Sequence, residues 1–480
     1  MGAERICERS DVDQEDKNVV DKWVGNVLAT LKKTSSAYGT VESDYLFEKQ
    51  ESGEIGEKKI RIGKDYPLRA KLVSRKLLTT VDSKSDKETI HFEFDVSGSG
   101  LVYECGDSLA ILPHNNAYEL SLFLSFFGLT SEQSPENPLK SPVDSPSWHY
   151  GSFNEEKCRP PKLELLEALR LCYDLKNVKA ELMTWIQKNA APRGQQQKLL
   201  ESLMEKGIGK ENDLLHSFLK EREVHDVLSS FKELLDVSGS VEKRVEMLKS
   251  LLPFLKPLLP RYYSISSSYL VDPNVVSVTV AVVRYELHGR PRIGVASTWL
   301  ADNVRVGDHV DIYVNKNPDF RLPSSLATPL VMIGPGTGLA PYRGFIQQRM
   351  WQAEKEGQAY GAMKLFFGCR YRDRDFLYGD WLEGLAKEDK LRLHCAFSRE
   401  QKEKLYVQDL VVKDGEEIWD LLANKEAHLY ICGDAQYMEA DVKKALVKII
   451  SEKGKMSNEE ANEYLNKLEH NKRFQKDTWF

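Results

Sequence analysis

Three glycines follow a short apolar segment in LVMIGPGTGLAP, where the residue types and their spacing suit nucleotide binding. Gly334, Gly336 and Gly338 come shortly before a predicted helix over Tyr342–Trp351. Glycines at such a turn let backbone N–H groups approach a pyrophosphate at the helix N-terminus. The spacing is G-x-G-x-G, with Leu339 where the dinucleotide fingerprint has glycine, so an ordinary strand-to-helix turn stays open as the alternative.

Downstream, the segment AFSREQKEKLYVQD concentrates positive charge in a chain whose formal net charge is −6. Ser398, Arg399, Lys402 and Lys404 fall within seven positions. Such a cluster suits a phosphate dianion. An NAD site would offer a carboxylate to the ribose 2′-hydroxyl, whereas Ser, Arg and Lys suit a 2′-phosphate, so we predict NADPH, with Tyr406 against its adenine. The alternative is a solvated run of charges.

Two earlier segments could hold a flavin nucleotide. RYYSISSS begins a predicted strand at Arg261 with a cation, two aromatic rings and hydroxyls, which could pair with a phosphate, stack on a flavin and hydrogen-bond its N5 edge. An ordinary β-strand is the alternative. The segment GVAST, from Gly294 to Thr298, precedes a predicted helix and is a second candidate cradle for a pyrophosphate.

The sequence patterns around these motifs predict the elements that position them. Residues 70–112 alternate between apolar and polar, as do the segments that resume at Arg261, which indicates the antiparallel strands of one barrel or sandwich. Residues 117–257 have helical spacing and are predicted to interrupt that barrel as a helical insertion. After Pro323, apolar strands alternate with helices, which is typical of a parallel, doubly wound sheet.

We therefore predict an α+β domain followed by an α/β domain, with two shorter segments before them. The predicted boundaries are 1–33 for an amphipathic helix, 34–64 for a linker, 65–325 for the barrel with its insertion, and 326–480 for the parallel-sheet domain. The length of 480 residues agrees with this division, since at about 150 residues per domain it corresponds to about three domains.

Composition excludes several classes of protein. Basic residues number 67 against 73 acidic ones, so the chain has no general attraction to nucleic acid or to an anionic membrane. No run approaches the roughly 18 apolar residues that span a bilayer. The seven cysteines are scattered without a C-x-x-C pair, which argues against zinc or iron–sulfur sites and favours a reducing compartment, by default the cytoplasm.

In their order along the chain, these motifs resemble the FAD/NADPH module of the diflavin reductases, the family of sulfite reductase flavoprotein and methionine synthase reductase. The resemblance covers roughly residues 66–480 and rests on RYYS, GVAS, GPGTG-x-AP, FFGCR-x-RDRDFLY, FSR-x-Q-x-x-K-x-YVQD, YICGD and a penultimate Trp. It implies an antiparallel FAD-binding β-barrel with a helical insertion, followed by a doubly wound NADPH-binding domain like that of ferredoxin–NADP reductase.

The resemblance also implies roles for single residues. Arg261 would pair with the FAD pyrophosphate, Tyr263 would stack on the isoalloxazine, and Ser264 would face N5. The other residues that it places at FAD are Tyr262, Thr279, Val280, Ala281, Tyr285, Gly294, Val295, Ala296, Ser297 and Trp479. Those that it places at NADPH are Arg75, Thr337, Ser398, Arg399, Lys404, Leu405, Tyr406, Val407, Gln408 and Asp441.

The residues that the resemblance places on the hydride path are Ser264, Cys432, Asp477 and Trp479, with Trp479 covering the flavin until nicotinamide displaces it. Simpler interpretations are a buried thiol at a strand end for Cys432, a surface carboxylate for Asp477 and a frayed terminal aromatic for Trp479. The bulky Phe480 after Trp479 departs from the family pattern and could alter how the tryptophan moves.

The function that follows is an NADPH-dependent FAD flavoprotein reductase, in which a hydride passes from NADPH to FAD and electrons then pass to a separate acceptor. That acceptor would be a flavodoxin-like FMN protein or a heme protein, and the chain looks most like sulfite reductase flavoprotein. Residues 1–33 resemble the C-terminal end of the family's FMN domain, which is otherwise expected to be missing. The alternative is an FAD-binding regulatory or fragmentary subunit without its own electron outlet.

Overall fold

A computed structural model of the chain describes residues 62–64, 66–82, 86–131, 138–144, 162–191, 194–209, 211–287 and 289–479. The helix predicted in residues 1–33, most of the predicted linker and Phe480 lie outside these residues. No helix in these described ranges is long and apolar enough to cross a membrane.

The elements are numbered in chain order. The strands are β1 (Leu68–Leu77), β2 (Glu88–Asp95), β3 (Ser108–Ile111), β4 (Pro142–Asp144), β5 (Lys162–Glu164), β6 (Tyr173–Asp174), β7 (Lys256–Pro257), β8 (Arg261–Ser264), β9 (Val275–Val282), β10 (Arg284–Leu287), β11 (Arg290–Ile293), β12 (His309–Asn315), β13 (Leu330–Ile333), β14 (Met363–Cys369), β15 (Arg392–Phe397), β16 (His428–Asp434) and β17 (Phe474–Trp479). The helices are α1 (Ala117–Phe126), α2 (Leu165–Leu171), α3 (Leu182–Asn189), α4 (Gly194–Met204), α5 (Asp213–Lys220), α6 (Val224–Ser230), α7 (Val241–Leu251), α8 (Val295–Asp302), α9 (Ala340–Glu356), α10 (Arg372–Asp375), α11 (Gly379–Lys387), α12 (Val407–Lys413), α13 (Gly415–Asn424), α14 (Met438–Gly454) and α15 (Asn458–His470).

Six antiparallel strands form the barrel in the order β8-β3-β12-β1-β2-β9. A bridge between Ile265 and Val278 links the two outer strands and closes the sheet on itself. Alternate side chains point inward, as Phe92 and Phe94 do on β2, and both are fully buried. The prediction of an antiparallel β-barrel is confirmed.

The helical insertion lies between β3 and β8, so the chain leaves the barrel after its third strand and returns at the fourth. Helices α1 to α7 enclose a core of their own, separate from the barrel core. Their ends carry the expected signals, since the side chains of Asn116 and Ser240 cap α1 and α7 by accepting hydrogen bonds from backbone N–H groups.

The second sheet is parallel and has the order β15-β14-β13-β16-β17. Val331 and Ile333 of its first strand pack on the face covered by α12 to α15, whereas Leu330 and Met332 pack on the opposite face with α9 and α11. Helices on both faces confirm the doubly wound prediction. The strand order reverses between β13 and β16, and ligands of such sheets bind outside the carboxyl ends of the strands at this point.

The helix after the glycine-rich turn is longer than predicted. Residues Gly336–Leu339 form one turn of 3₁₀-helix and α9 then runs over Ala340–Glu356. Pro341 is compatible with this start, because a proline in the first helical turn removes an N–H that has no partner within the helix. The turn therefore delivers Gly336 and Thr337 to the carboxyl edge of the parallel sheet.

Candidate functional site

Three of the predicted hydride-path residues meet where the barrel contacts the carboxyl edge of the parallel sheet. The Ser264 hydroxyl at the end of β8 donates to Asp477 Oδ2 at 2.9 Å. The Cys432 Sγ lies 3.8 Å from the same oxygen. Cys432 and Asp477 are paired in the register of β16 and β17, so the parallel sheet holds them together, while Ser264 comes from the other domain.

The electrostatics of this cluster favour neutral groups. Burial raises the pKa of Asp477, and the hydrogen bonds from Ser264 and Cys432 offset only part of that rise. Burial also raises the pKa of the Cys432 thiol well above its ordinary value. Cys432 is therefore a thiol at neutral pH and not a nucleophilic thiolate, so its chemistry here is to donate a weak hydrogen bond.

Trp479 follows two residues after Asp477 on the outer strand β17. The Trp479 carbonyl accepts from the Ala435 N–H at 2.9 Å, which fixes the backbone. Its side chain is 42% exposed. Because residues i and i+2 of a strand share a face, the indole and the Asp477 carboxylate are presented on the same side of the sheet.

The RYYS strand divides its side chains between two faces. Tyr262 is exposed, with its hydroxyl 3.1 Å from that of Tyr313, and by strand alternation it shares a face with Ser264. Tyr263 lies on the other face and packs against the barrel core opposite Leu109, where burial raises its pKa. The stacking of Tyr263 on a flavin stays a prediction.

Arg261 lies at the start of the same strand, near the insertion. Its guanidinium donates to the Leu259 carbonyl at 2.6 Å and lies 3.9 Å from the Asp174 carboxylate. Part of the guanidinium surface faces solvent and could meet a phosphate.

The GVAS motif forms a tight turn before α8. The Gly294 N–H donates to the Val283 carbonyl at 2.8 Å, and the Val283 N–H donates to Ser297 Oγ at 3.1 Å. A Cβ on Gly294 would lie 2.9 Å from Val283 Cβ, so packing requires glycine here. The next three residues, Val295, Ala296 and Ser297, supply the first N–H groups of α8, which have no carbonyl partner within the helix.

The other predicted FAD residues fall on two different elements. Thr279, Val280 and Ala281 lie on β9, where the Val280 side chain is fully buried in the barrel and Ala281 is exposed. Tyr285 lies beyond that strand, on the β10–β11 ribbon, and is 56% exposed. It pairs with Arg292, which lies two residues before Gly294, so Tyr285 lies near the GVAS turn.

The glycine-rich turn has packing reasons of its own. A Cβ on Gly338 would overlap the Cys432 carbonyl, and one on Gly334 would meet the Tyr342 ring. Gly336 has φ +56° and open space around it. Gly338 thus lets the turn pack against β16 and Gly334 lets it pack against Tyr342 of α9, while Gly336 and the partly exposed Thr337 form its open side.

The cationic segment is held over the end of β14 by its backbone. The Ser398 N–H donates to the Cys369 carbonyl at 2.9 Å, and the Arg399 N–H to that of Arg370 at 3.0 Å. The side chains of Arg399, Lys402 and Lys404 are exposed, and none forms an ion pair with a residue that the structure describes. Three cationic groups are therefore free to bind an anion.

Four of the remaining NADPH candidates continue the chain directly after this segment, whereas Asp441 and Arg75 lie on other elements. Tyr406 is exposed before α12, Leu405 and Val407 pack into the sheet core, Gln408 is partly buried, and Asp441 on α14 pairs with Lys444. Arg75 instead donates to the carbonyls of Ala301 and Val304 at the end of α8. These contacts tie Arg75 to the barrel, and its contact with NADPH stays a prediction.

Three residues that join the domains, Tyr378, His91 and Arg343, were not predicted from the sequence. Tyr378 hydrogen-bonds with His91 and Thr279 of the barrel, and Arg343 donates to the Ser266 carbonyl. The available signal was the final tyrosine of the FFGCR-x-RDRDFLY segment, which no predicted role used.

Comparison with known proteins agrees with this arrangement. A family model described as FAD binding domain matches residues 62–299, and one described as Oxidoreductase NAD-binding domain matches residues 332–444. Similar proteins include NADPH oxidoreductase A of Dictyostelium discoideum, 38% identical over the whole chain and 71% of that protein. The sulfite reductase [NADPH] flavoprotein alpha-components of Mannheimia succiniciproducens and Shigella flexneri are each 34% identical, over the whole chain and 71% of their own length.

We predict that Asp477→Asn gains stability relative to wild type as the pH rises. The raised pKa means that the folded state keeps its proton above the unfolded value of about 3.9, so wild type loses stability as the pH rises through the interval between the two values. Asparagine still accepts from Ser264 but carries no charge. Urea midpoints at pH 4 and pH 8 measure the difference, with the exposed Asp213→Asn as control. The prediction is contradicted if the difference in urea midpoint between Asp477→Asn and wild type is the same at both pH values, or if it changes no more than the difference for Asp213→Asn.

Proposed function

As a member of the diflavin reductase family, to which this chain belongs, the protein is an NADPH-dependent flavin reductase, and we propose that hydride transfer takes place at the Ser264–Asp477–Cys432 cluster. FAD and NADPH are its cofactors. The observation that carries the proposal is the 2.9 Å hydrogen bond from Ser264 to Asp477, because it joins the FAD-binding domain to the carboxyl edge of the NADPH-binding sheet.

The barrel residues fit FAD as follows. We assign the pyrophosphate to the GVAS turn, where Gly294 is required by packing and the N–H groups of Val295, Ala296 and Ser297 have no carbonyl partner within α8, with Arg261 as a cationic partner. Exposed Tyr285 beside that turn would stack on the adenine. The isoalloxazine would lie beside Tyr262 and Ser264, which share a face of β8, and near Thr279 and Ala281 of β9, with Trp479 on its open face. The contacts of Tyr263 and Val280 with FAD rest on the family resemblance.

The sheet residues fit NADPH in the same way. Thr337 and the open side at Gly336 would hold the pyrophosphate at the start of α9. Ser398, Arg399 and Lys404 would bind the 2′-phosphate, because their polar groups are concentrated in one segment and the two cations are exposed. The residues from Leu405 to Gln408 would shape the adenosine site around Tyr406, and Asp441 and Arg75 are the more distant candidates.

FAD supplies a hydride acceptor that can afterwards release single electrons. The contribution of the chain is alignment and desolvation. The Asp477 carboxyl fixes the direction of the Ser264 hydroxyl, and its raised pKa lets it hold a proton near Ser264 Oγ. The Cys432 thiol packs below this pair as a neutral group, and the Trp479 indole would exclude water until the nicotinamide replaces it.

For the acceptor we propose a heme protein or a flavodoxin-like FMN protein. Relatives of this chain are named as the flavoprotein alpha-component of sulfite reductase, which supports a separate partner. We also propose a reducing compartment such as the cytoplasm, since the seven cysteines of the sequence are scattered without a C-x-x-C pair.

The activity is tested directly on the purified chain. We expect about one FAD per chain and faster NADPH-driven reduction of ferricyanide than of cytochrome c, because a small oxidant can take electrons without a docking partner. Flavin released by heat and the two reduction rates measure this. Absence of bound FAD, or equal rates with NADH and NADPH, would overturn the proposed function.

The coenzyme preference is expected to depend on Arg399. Arg399→Gln should raise the KM for NADPH by roughly tenfold to hundredfold and leave that for NADH unchanged, since a hydrogen bond to a charged group contributes about 1.5–3 kcal/mol. Lys413→Gln removes the same charge at the far end of α12 and serves as the control. If both variants raise the KM for NADPH equally, Arg399 acts through its general positive charge and not through direct contact with the 2′-phosphate.

Trp479 is expected to limit the use of NADH. Trp479→Ala removes a ring that competes with the nicotinamide, so kcat/KM with NADH should rise by about tenfold and the preference for NADPH should fall. Trp479→Tyr keeps an aromatic ring and should keep most of the preference. An unchanged ratio of the two kcat/KM values in Trp479→Ala would argue against this role.

A further inference from the structure

Tyr378 connects the NADPH-binding domain to two strands of the barrel through one hydroxyl group. Its Oη lies 2.9 Å from His91 Nδ1 on β2 and 2.6 Å from Thr279 Oγ1 on β9. Burial and the nearby Arg343 lower the pKa of His91, so the ring is neutral at physiological pH and Nδ1 can accept a hydrogen bond. The hydroxyl can therefore accept from Thr279 and donate to His91.

The backbone of Tyr378 is held in an unfavourable conformation. Its φ is +53° and its ψ +29°, in the left-handed region that a bulky side chain rarely adopts. Residues persist there when their surroundings determine the conformation, and such residues concentrate at functional sites. In this chain the conformation directs the ring toward the barrel at the start of α11.

A second side chain of the same domain packs on this tyrosine. The Arg343 guanidinium lies 5.1 Å from the centroid of the Tyr378 ring and 6.0 Å from that of Trp381. It also donates to the Ser266 carbonyl at 2.6 Å, two residues beyond Ser264. Arg343 belongs to α9, which begins at the glycine-rich turn, so this contact relates that turn to the strand carrying Ser264.

The segment that leads to Tyr378 is also fixed to the barrel. The Arg370 guanidinium donates to the Asp86 carboxylate at 3.0 Å, Arg374 pairs with Asp82, and the Thr80 N–H donates to the Arg374 carbonyl at 2.8 Å. The Arg370 carbonyl accepts from the Arg399 N–H. One continuous segment therefore connects the cationic loop, the β1–β2 hairpin and Tyr378.

We propose that Tyr378 is a positioning residue that sets the separation of the two domains, so that the nicotinamide and the flavin meet at hydride-transfer distance. The inference rests on the proposed function, which places the isoalloxazine beside Ser264 and Thr279. Tyr378 touches Thr279 from the NADPH-binding domain and therefore links the two sites without a hydride-path residue. A displacement of about 1 Å in such an arrangement can slow a reaction by roughly a hundredfold.

Tyr378→Phe tests this by removing the hydroxyl and keeping the ring that packs on Arg343. We expect the rate of flavin bleaching by NADPH in anaerobic stopped flow to fall about tenfold, with the dissociation constant for NADPH changed less than about twofold. The primary isotope effect with 4-deuterated NADPH should be at least as large as in wild type, because hydride transfer becomes more rate-limiting. A purely structural role would lower the melting temperature and FAD content and leave the isotope effect unchanged.

Tyr371→Phe is the matched control, since it removes a tyrosine hydroxyl from the same segment without touching a hydrogen bond that the structure records. It should behave as wild type.

Hydride transfer in Tyr378→Phe at the wild-type rate, or slowed only in proportion to lost FAD, would overturn the proposal. If Tyr378→Phe does not fold, His91→Leu removes the acceptor of the Tyr378 hydroxyl from the barrel side and is subject to the same criteria. Failure of wild type to reduce its flavin with NADPH would instead overturn the proposed function.

Discussion

The hydrogen bond from Ser264 to Asp477 imposes the main constraint on the fold, because its two residues are 213 positions apart in sequence and belong to different domains. Under the proposed function, neither the barrel nor the parallel sheet would contain the hydride-transfer site alone. The barrel must close so that β8 presents Ser264 at its end, and the sheet must place β17 at its edge so that Asp477 faces it. The interdomain contacts of Arg343 and Tyr378 serve the same requirement.

Close packing at this junction requires glycine at positions that the motif alone would assign to ligand binding. Gly338 allows the glycine-rich turn to lie against the Cys432 carbonyl, and Gly344 on α9 allows the helix to approach the Ser267 carbonyl, where a Cβ would lie at 2.8 Å. Gly336 is different, since its positive φ and open surroundings have no packing cause. Within one turn, packing therefore requires Gly338, whereas Gly336 is open to a ligand.

The sequence was sufficient for the fold class, and three residues that it placed on the hydride path, Ser264, Cys432 and Asp477, lie in contact in the structure. Period-two alternation and the switch to strand–helix alternation identified the barrel and the parallel sheet, and the cationic segment was visible from composition. The direction of single side chains was not predictable, because it depends on closure and register. Strand alternation separates Tyr263 from Ser264, Tyr285 belongs to a ribbon beyond β9, and Arg75 caps α8. Each of these placements is decided by a partner distant in sequence.

The burial of Asp477 and Cys432 is compatible with hydride chemistry in a way that it would not be with acid–base or nucleophilic catalysis. Transfer of a hydride needs alignment more than it needs a strong base, so a carboxyl of raised pKa and a protonated thiol cost the reaction little. The protonated thiol of Cys432 adds no charge to the junction, and the raised pKa of Asp477 shifts its carboxyl toward the neutral form.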